Sequence, residues 1–193
     1  MKRIIFMSVL FMTQMVLADK AVFAGGCFWC MQPAFEKLEG VSQVLSGYSG
    51  GVAATAHYEK VSAGGTGHKE SIEVTYDKAK VSYEKLLEVY FKNIDPFDAA
   101  GQFCDKGESY TSVIFTGSEI EKKLAEEKLK KVQELKKSLG KVATQIVPLN
   151  KFYPAEDYHQ DYYKKNPIRY KFYRSRCGRD NRLEAIGLEK EKI

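Results

Sequence analysis

Two cysteines three positions apart, Cys27 and Cys30, enclose two aromatic residues in the most informative segment of this sequence. An apolar run at residues 21–24 precedes them and predicts a buried strand, and two glycines then permit a tight turn. The residues that follow have helical spacing, so Cys27 is expected near the first turn of a helix. There the exposed backbone N–H groups and the positive end of the helix dipole favour a thiolate over a thiol. The segment therefore predicts a redox nucleophile, a second thiol within disulfide reach, and one wall of an apolar pocket.

The other two cysteines of the chain are Cys104 and Cys177. Four cysteines in an exported protein admit two structural disulfides. That interpretation fits poorly, because a domain of this length does not need cross-links and a Cys27–Cys30 bond closes too small a loop to constrain the unfolded chain. Redox chemistry is the favoured interpretation. A zinc-binding module is a further alternative, but cysteines without a second CxxC or an HxxxH pattern are a poor ligand set, so we expect no metal.

The N-terminus has the composition of a secretory signal. Lys2 and Arg3 supply its positive charge, a mainly apolar stretch follows, and the small residue Ala18 stands at the expected cleavage edge. An uncleaved membrane anchor is the alternative, although the apolar stretch is short for a membrane span. We expect an exported, periplasmic protein with a signal peptide at residues 1–18 and one domain at residues 19–193, without stable membrane insertion after cleavage.

The formal net charge of the chain is +5. It falls to +3 without Lys2 and Arg3, because no acidic residue precedes Asp19. The remaining basic residues are interspersed with acids, as in residues 119–137, so we expect no nucleic-acid partner. Residues 169–182 are denser in Arg and Lys, and we interpret them as a solvated C-terminal extension.

Hydrophobic periodicity predicts the elements that position the two thiols. Residues 31–39 are expected to form a helix that ends at Gly40, and residues 41–48 a strand. Residues 49–67 are rich in Gly, Ala and Ser and predict a long surface loop, which in a compact domain is usually functional. Residues 70–76 alternate and predict a further strand.

A second helix is expected to begin at its capping residue Ser82 and to end before Pro96. An irregular segment at residues 97–108 then leads to a strand at residues 111–116. The apolar stripe of this helix has the spacing of one buried face, and its members are Tyr83, Leu86, Leu87, Tyr90 and Phe91.

A third helix is predicted by the capping box of Ser118 and Glu121 and by its C-terminal Gly140. Residues 142–147 are expected to form another strand, and residues 154–165 a short aromatic-rich helix. The residues of the third helix expected to face inward are Ile120, Leu124, Leu129, Val132, Leu135 and Leu139.

The predicted order of elements, β-α-β-β-α-β with additions, is that of the ferredoxin-like split βαβ arrangement. No internal repeat or low-complexity linker divides it. We therefore predict a single two-layer α/β (α+β) sandwich with a ferredoxin-like βαββαβ core, added loops and a C-terminal extension.

Residues 25–30 resemble the active-site signature of the A-class peptide methionine sulfoxide reductases. The resemblance covers most of the chain, from Lys20 to about Tyr170, and several ordered segments are more specific than one. It implies an enzyme that reduces the S epimer of methionine sulfoxide, free or in proteins, to methionine. The further matching segments are residues 47–51, 66–70, 95–96, 101–105, 158–161 and 166–167.

The family resemblance implies a role for each polar residue of the site. Cys27 is the nucleophile, and Glu70 is the general acid that delivers a proton to the sulfoxide oxygen. Tyr58 and Tyr110 resemble the two tyrosines whose hydroxyls hold that oxygen. Loss of methionine leaves Cys27 as a sulfenic acid, which a second thiol attacks to give a disulfide. By residue type alone, Glu70 would be a solvated carboxylate at a strand start.

The same resemblance makes Phe28 and Trp29 the wall that receives the substrate methyl group. An apolar pocket of this kind is expected to raise the pKa of Glu70 by desolvation, so that the carboxyl is often protonated near neutral pH. Asp105 resembles a supporting aspartate of the family, for which we expect a structural role.

The resolving thiol is open to more than one interpretation. Cys30 is placed first, because it lies on the same helical turn as Cys27. Many family members have Gly at this position and use a distal cysteine, so Cys177 in the basic tail is the alternative, either resolving directly or accepting the disulfide from Cys30. Cys104 is expected to take no part.

The family resemblance also implies no bound cofactor and a thioredoxin-like protein as the external dithiol reductant. Oxidised proteins and free methionine sulfoxide are the expected substrates, and we expect a monomer. The rival interpretation is a thioredoxin-like thiol–disulfide oxidoreductase. It fits less well, because Trp29 lies between the cysteines and the predicted element order is not that of a thioredoxin.

Overall fold

The computed structural model describes residues 18–193. The signal peptide predicted for residues 1–18 therefore lies, apart from Ala18, outside the described residues. No helix in the described part of the chain is long and apolar enough to cross a membrane.

The strands are β1 (Asp19–Ala24), β2 (Val41–Ser49), β3 (Lys69–Tyr76), β4 (Gly101–Gln102), β5 (Asp105–Lys106), β6 (Val113–Thr116), β7 (Gln145–Pro148) and β8 (Phe152–Pro154). The α-helices are α1 (Phe28–Glu36), α2 (Tyr58–Ala63), α3 (Tyr83–Lys92), α4 (Glu119–Leu135), α5 (Tyr162–Lys165), α6 (Pro167–Arg176) and α7 (Arg179–Ile186).

Six strands form one mixed sheet in the order β7-β6-β1-β3-β2-β8, and β4 pairs with β5 in a separate hairpin. Neighbouring strands of the large sheet are antiparallel, except that β6 and β7 are parallel. The register pairs Ala24, the last residue of β1, with Ser71 of β3. Glu70 is the residue before Ser71, so the sheet places its carboxyl next to the turn that leads from β1 to Cys27.

The main hydrophobic core lies between the sheet and the helices α1, α3 and α4. Phe23 of β1 is at its centre, with its ring 5.5 Å from that of Phe35 and 5.2 Å from that of Tyr90. A smaller cluster around Val22 and Phe115 covers the other face of the sheet. The apolar stripe predicted for the second helix is confirmed, since all five of its residues are buried in α3.

Helix α4 differs from its prediction in length and in the residues that face inward. It ends at Leu135 and is followed by a 3-10 turn (Lys137–Leu139). Ile120, Leu135 and Leu139 are 74 %, 40 % and 38 % exposed, so the prediction that they face inward is wrong. The fully buried residues of α4 are Ala125 and Val132, because only the central turns of the helix pack against α3 and the sheet, while its ends extend beyond them.

Two segments differ from their predicted conformation. Residues 49–67 include a 3-10 turn (Ala53–Thr55) and the short helix α2. The helix expected at residues 154–165 is limited to α5, and Pro154 belongs instead to strand β8, which pairs with β2 at the edge of the sheet. An edge position tolerates proline because the missing N–H removes no bond from the interior of the sheet.

The C-terminal tail is packed onto the body of the domain at several residues, so its prediction as a solvated extension holds only for the exposed positions of α6 and α7. Arg179 is 1 % exposed, and Arg182 forms an ion pair of 2.6 Å with Asp95. Cys177 at the end of α6 is bonded to Cys104, which joins the tail to the loop that carries the β4–β5 hairpin. These long-range contacts outweigh the basic composition from which solvation was inferred.

Candidate active site

The turn between β1 and α1 determines where the Cys27 thiol lies. Gly26 has φ +76°, and a Cβ atom there would lie 2.5 Å from the Cβ of Gln102, so only glycine fits without a shift. Cys27 is the N-cap of α1, and its carbonyl accepts the N–H of Cys30 at 3.0 Å. The hydroxyl of Tyr90 donates to the Ala24 carbonyl at 2.8 Å and holds the strand end in place.

A small cavity of about 90 Å³ opens beside the Cys27 thiol. Its lining combines side chains from six separate parts of the chain, and it includes every catalytic and substrate-binding residue expected from sequence except Cys30. Cys177 also lies outside the lining. Tyr173 of α6 lines the cavity as well and was not expected. The lining residues are Cys27, Phe28, Trp29, Tyr58, Glu70, Asp105, Tyr110 and Tyr173.

Glu70 is 3 % exposed and faces the cavity from the start of β3. Burial raises the pKa of its carboxyl to about 8, and the nearby charge of Asp105 acts in the same direction. The Phe28 N–H donates to Glu70 Oε2 at 3.1 Å and opposes part of this rise in pKa. The carboxyl is therefore mostly protonated at pH 7 and can serve as a proton donor.

Two tyrosine hydroxyls approach the cavity from segments outside the large sheet. Tyr58 begins α2, and its N–H donates to Glu156 Oε1 at 2.9 Å, while Glu156 Oε2 accepts from Tyr48 at 2.8 Å. Glu156 thereby fixes the loop that carries Tyr58. Tyr110 ends a 3-10 turn (Glu108–Tyr110). Burial raises the pKa of both Tyr58 and Tyr110, so both hydroxyls keep their protons.

The indole of Trp29 is held on two sides. Its Nε1–H donates to His159 Nδ1 at 3.1 Å, and its ring stacks on Tyr162 at a centroid distance of 3.7 Å. The Phe28 ring packs 5.0 Å from the His159 ring. His159 Nδ1 accepts a hydrogen bond, and burial lowers the pKa of the ring. His159 is therefore a neutral structural partner of Phe28 and Trp29.

Cys27 and Cys30 are both free thiols, buried and hydrogen-bonded to each other. Burial raises the pKa of Cys27 well above its ordinary value, and the Cys30 contact and the Glu70 charge add to the rise. The hydrogen bond from Cys27 is the main reason that the pKa of Cys30 falls to about 7, with attraction by Arg179 and Arg174 opposing the effect of burial. The directions of the two shifts favour Cys30 over Cys27 as the site of a negative charge in this pair.

This distribution of charge contradicts the expectation that the helix start makes Cys27 the thiolate. The Cys27 side chain makes no capping hydrogen bond to the first turn of α1, so the helix N–H groups do not stabilise an anion on its sulfur. Its sulfur instead faces an apolar cavity that also contains the Glu70 carboxyl. The position of Cys27 at the helix start, which the sequence indicates, would lower the pKa of its thiol. Burial, which the sequence does not indicate, raises that pKa by more.

Tyr173 links the Cys27 thiol to Asp105. Its hydroxyl donates to Asp105 Oδ2 and is also within hydrogen-bonding distance of the Cys27 sulfur. The sulfur of Cys177 lies 3.9 Å from the same carboxylate oxygen. Because Tyr173 and Cys177 are four residues apart on α6, the Cys104–Cys177 bond places Tyr173 over the cavity. This spacing was the sequence signal for Tyr173, but it has meaning only once the disulfide is known.

The disulfide corrects the expectation that Cys177 lies in a free tail, and it pairs this residue with Cys104, for which no role in the reaction was expected. Both sulfurs are used in one bond, so in this state neither is a thiol. Cys104, Asp105 and Cys177 are the one group of close metal-ligand types within residues 18–193. Bonded sulfurs do not provide the thiolates that a zinc site requires.

The cavity brings together the Cys27 thiol, a protonated carboxyl and two tyrosine hydroxyls, and the Cys30 thiol adjoins Cys27 outside it. A family model described as Peptide methionine sulfoxide reductase matches residues 19–191. The chain is 48% identical over 166 residues to peptide methionine sulfoxide reductase MsrA of Bacillus licheniformis, which covers 86% of this chain and 92% of the relative.

Two solved structures show the same fold. Reduced Mxr1 of Saccharomyces cerevisiae superposes with a TM-score of 0.73 at 30% identity, covering 78% of this chain and 87% of that one. Methionine sulfoxide reductase A of Corynebacterium diphtheriae superposes with a TM-score of 0.70 at 28% identity, covering 81% and 78%. The fold is thus a mixed α/β fold shared with these enzymes. The chain belongs to the peptide methionine sulfoxide reductase family, and it is an A-type oxidoreductase that reduces methionine sulfoxide.

Proposed function

We propose that this enzyme reduces the S epimer of methionine sulfoxide, free or in proteins, with Cys27 as nucleophile and Glu70 as general acid. The observation that carries the assignment of roles is the cavity in which the Cys27 thiol, the buried Glu70 carboxyl and the hydroxyls of Tyr58 and Tyr110 converge. A sulfoxide needs this combination, because its sulfur becomes electrophilic only when its oxygen is hydrogen-bonded or protonated.

The first half-reaction produces methionine. Tyr58 and Tyr110 donate hydrogen bonds to the sulfoxide oxygen, and Glu70 delivers a proton to it. The Cys27 thiol attacks, the oxygen passes to its sulfur, and methionine leaves a sulfenic acid behind. The thiol proton of Cys27 passes to the carboxylate that Glu70 has become, so this half-reaction consumes no net proton and leaves Glu70 protonated for the next step.

Phe28 and Trp29 supply the apolar wall for the methyl group of the substrate. The cavity, of about 90 Å³, has room for the methylsulfinyl end of a side chain. Since His159 and Tyr162 hold the indole on two sides, the wall is preformed.

The second half-reaction closes a disulfide, for which we propose Cys30 as the resolving thiol. It is free and hydrogen-bonded to Cys27, whereas the alternative, Cys177, is already bonded to Cys104. We expect C30S to release one equivalent of methionine and then to stop cycling with a protein dithiol. Turnover at the wild-type rate in C30S would transfer the resolving role to Cys177.

The proposed reductant is a thioredoxin-like protein. The yeast homologue Mxr1 has been solved in complex with Trx2, and that chain shares the fold of this one with a TM-score of 0.53 at 22% identity. The rival function, thiol–disulfide exchange on other proteins, is not favoured. Disulfide exchange has no use for a proton donor and two hydroxyls arranged around an oxygen site.

We also propose that the domain has a ferredoxin-like core and that the protein is exported to the periplasm. The order β1, α1, β2, β3, α3, β6 with the sheet order β6-β1-β3-β2 supports a ferredoxin-like core. The composition of residues 1–18 supports export to the periplasm, and N-terminal sequencing of the protein from the periplasmic fraction tests it. A start at residue 19 is expected, and an intact N-terminus would contradict cleavage. We expect a monomer by light scattering.

The activity assay uses separated R and S epimers of methionine sulfoxide with dithiothreitol as reductant. Turnover of the S epimer alone, and its loss in C27S, is the expected result. Equal use of both epimers, or activity in C27S, would overturn the proposed function. An insulin reduction assay run in parallel tests the rival function.

A further inference from the structure

Arg179, the first residue of α7, is the bulkiest fully buried side chain in the described part of the protein. One guanidinium nitrogen, Nη2, donates to the carbonyls of Asn93 at 2.7 Å and Gly25 at 3.3 Å, and it lies 3.1 Å from the sulfur of Met31. The guanidinium also sits 4.5 Å over the ring of Phe103. These contacts place a permanent positive charge against the turn and the first helical turn that carry Cys27 and Cys30.

Arg179 has no carboxylate partner. Among residues 18–193, no carboxylate oxygen lies within 4.0 Å of its nitrogens, and its Nε has no hydrogen-bond partner. The neighbouring arginines of the tail differ, because Arg174 pairs with Asp180 and Arg182 with Asp95. A buried cation without a counter-ion is costly, so a negative charge is expected close to it. The Asn93 carbonyl at the C-terminus of α3 supplies only part of that charge.

Burial raises the pKa of Asp105, and Arg179 acts against this rise from beyond 4.0 Å, so this carboxylate and the sulfur of Cys30 are the two groups that can supply the missing negative charge. Arg179 contacts Met31 and Gly25, on either side of Cys30 in sequence, and its attraction reaches the Cys30 sulfur and lowers the pKa of that thiol. The other ionisable groups that act on Cys30 are Cys27, Glu70, Asp105, Tyr170 and Arg174. Cys30 also lines a second cavity, and the other ionisable side chains of that lining include Lys37 and Tyr163.

We propose that Arg179 is a positioning residue for the disulfide-forming step, in which its guanidinium is the counter-charge of the Cys30 thiolate. This inference rests on the proposed role of Cys30 as resolving thiol. In the step, the electron pair of the Cys30 thiolate forms the S–S bond to the Cys27 sulfur. The S–O bond of the sulfenic acid breaks, and its oxygen leaves as water with a proton from Glu70. When a dithiol later attacks Cys27, the same positive charge stabilises Cys30 as the departing thiolate.

The test follows the rate of disulfide formation against pH in a single turnover with one equivalent of methionine S-sulfoxide. Trp29 is the one tryptophan of the chain and lies between the two cysteines, so its fluorescence reports the step. R179M is expected to move the midpoint of the pH profile upward by about one to two pH units, because an opposite charge has been removed from a buried thiolate. At pH 7 the disulfide step should slow about fivefold or more for that shift.

R179K retains the charge and should restore the midpoint close to that of the wild type. R182M is the matched control, because Arg182 lies on the same helix but is neutralised by Asp95, and its midpoint should not move. A purely structural role for Arg179 would lower the rate at every pH without moving the midpoint, and that result would overturn the proposal.

A second measurement decides the question even if R179M does not fold. In C27S with the Cys104–Cys177 bond intact, alkylation of Cys30 by iodoacetamide is measured against pH and located by peptide mass. A midpoint below that of a free thiol, about 8.5, that rises in C27S/R179Q supports the proposal, and equal midpoints in the two variants would overturn it. Methionine release in the first turnover is recorded separately in wild type and R179M. Its absence in the wild type would refute the proposed function itself.

Discussion

At the level of single residues, burial sets the protonation states on which the reaction depends. Glu70 stays protonated near neutral pH because its carboxyl is buried, and Cys27 keeps its proton for the same reason. Sequence motifs identified both residues, and the apolar neighbours of Glu70 indicated the direction of its pKa shift. They did not indicate the lowered pKa of Cys30, whose main cause is the contact with Cys27 and to which Arg179 and Arg174, more than 140 positions away in the chain, contribute.

Replacing Glu70 with Gln tests the acid. E70Q removes the proton donor and keeps the shape of the side chain, so methionine formation in a single turnover should slow by roughly 100-fold or more. In the wild type the same rate should fall as pH rises through about 8, because the carboxyl then loses its proton. Rapid-quench measurements of methionine from pH 6 to pH 9 check both.

E73Q is the matched control for this variant, since Glu73 lies on the same strand but pairs with Lys20 at 2.7 Å away from the cavity. Its rate should match that of the wild type. A rate in E70Q within threefold of the wild type would remove Glu70 from the chemistry.

The same carboxyl predicts a pH dependence of stability. The pKa of Glu70 is about 8 in the folded protein, whereas that of a solvent-exposed glutamate is 4.5. The protonated carboxyl therefore contributes its full stabilisation below pH 4.5, and this contribution is lost as pH rises through about 8. Between pH 4.5 and pH 7, the free energy of unfolding of the wild type should therefore fall by about 3 kcal/mol relative to that of E70Q. Urea denaturation at the two pH values measures the difference. An equal change in both proteins would show that Glu70 titrates normally.

At the level of elements, the strand–turn–helix unit from β1 to α1 was largely predictable. The apolar run, the two glycines and the helical spacing after them are local signals, and the structure has a strand, a tight turn and a helix at that place. The end of α4 and the helix expected at residues 154–165 were not predictable in the same way. There, packing of α4 against α3 and pairing of β8 with β2 decide the conformation.

Gly26 gives a prediction at this scale. G26A adds a Cβ atom 2.5 Å from the Cβ of Gln102 in a left-handed conformation, so we expect a loss of about 3 kcal/mol in stability and a misplaced Cys27 thiol. G64A is the control, because Gly64 also has positive φ, +85°, but its Cβ atom would meet nothing within 4 Å. It should cost only about 1 kcal/mol. Thermal unfolding and first-turnover methionine release separate the two, and equal losses would contradict the role of the close contact.

At the level of the whole molecule, the C-terminal tail completes a site that the sheet and α1 begin. It contributes Tyr173 to the cavity, Arg179 to the first turn of α1, and Cys177 to the bond with Cys104. From composition the tail looked solvated, since basic residues usually face water. Arg179 is an exception because backbone carbonyls and an aromatic ring surround its guanidinium.

Removing the disulfide tests the tail as a whole. The bond joins cysteines 73 positions apart, so the double variant C104S/C177S should lose about 2–4 kcal/mol of stability, as should the wild type when the bond is reduced. Urea denaturation measures the loss. Turnover with dithiothreitol should persist at temperatures where the variant is folded, because Cys27 and Cys30 remain. If peptide mass shows that no Cys27–Cys30 disulfide forms during turnover of this variant, recycling would be assigned to Cys104 and Cys177.

The amino-acid sequence alone determined the family, the order of the central strands and helices, and most of the cavity lining. These features depend on neighbours in the chain or on motifs that occur in a set order. Tertiary structure alone decided the Cys104–Cys177 bond, the place of Tyr173 and Arg179, and the lowered pKa of Cys30. Each of these arises when segments far apart in the chain are packed together and water is excluded, so the energy that decides them belongs to the assembled interior and to no local segment.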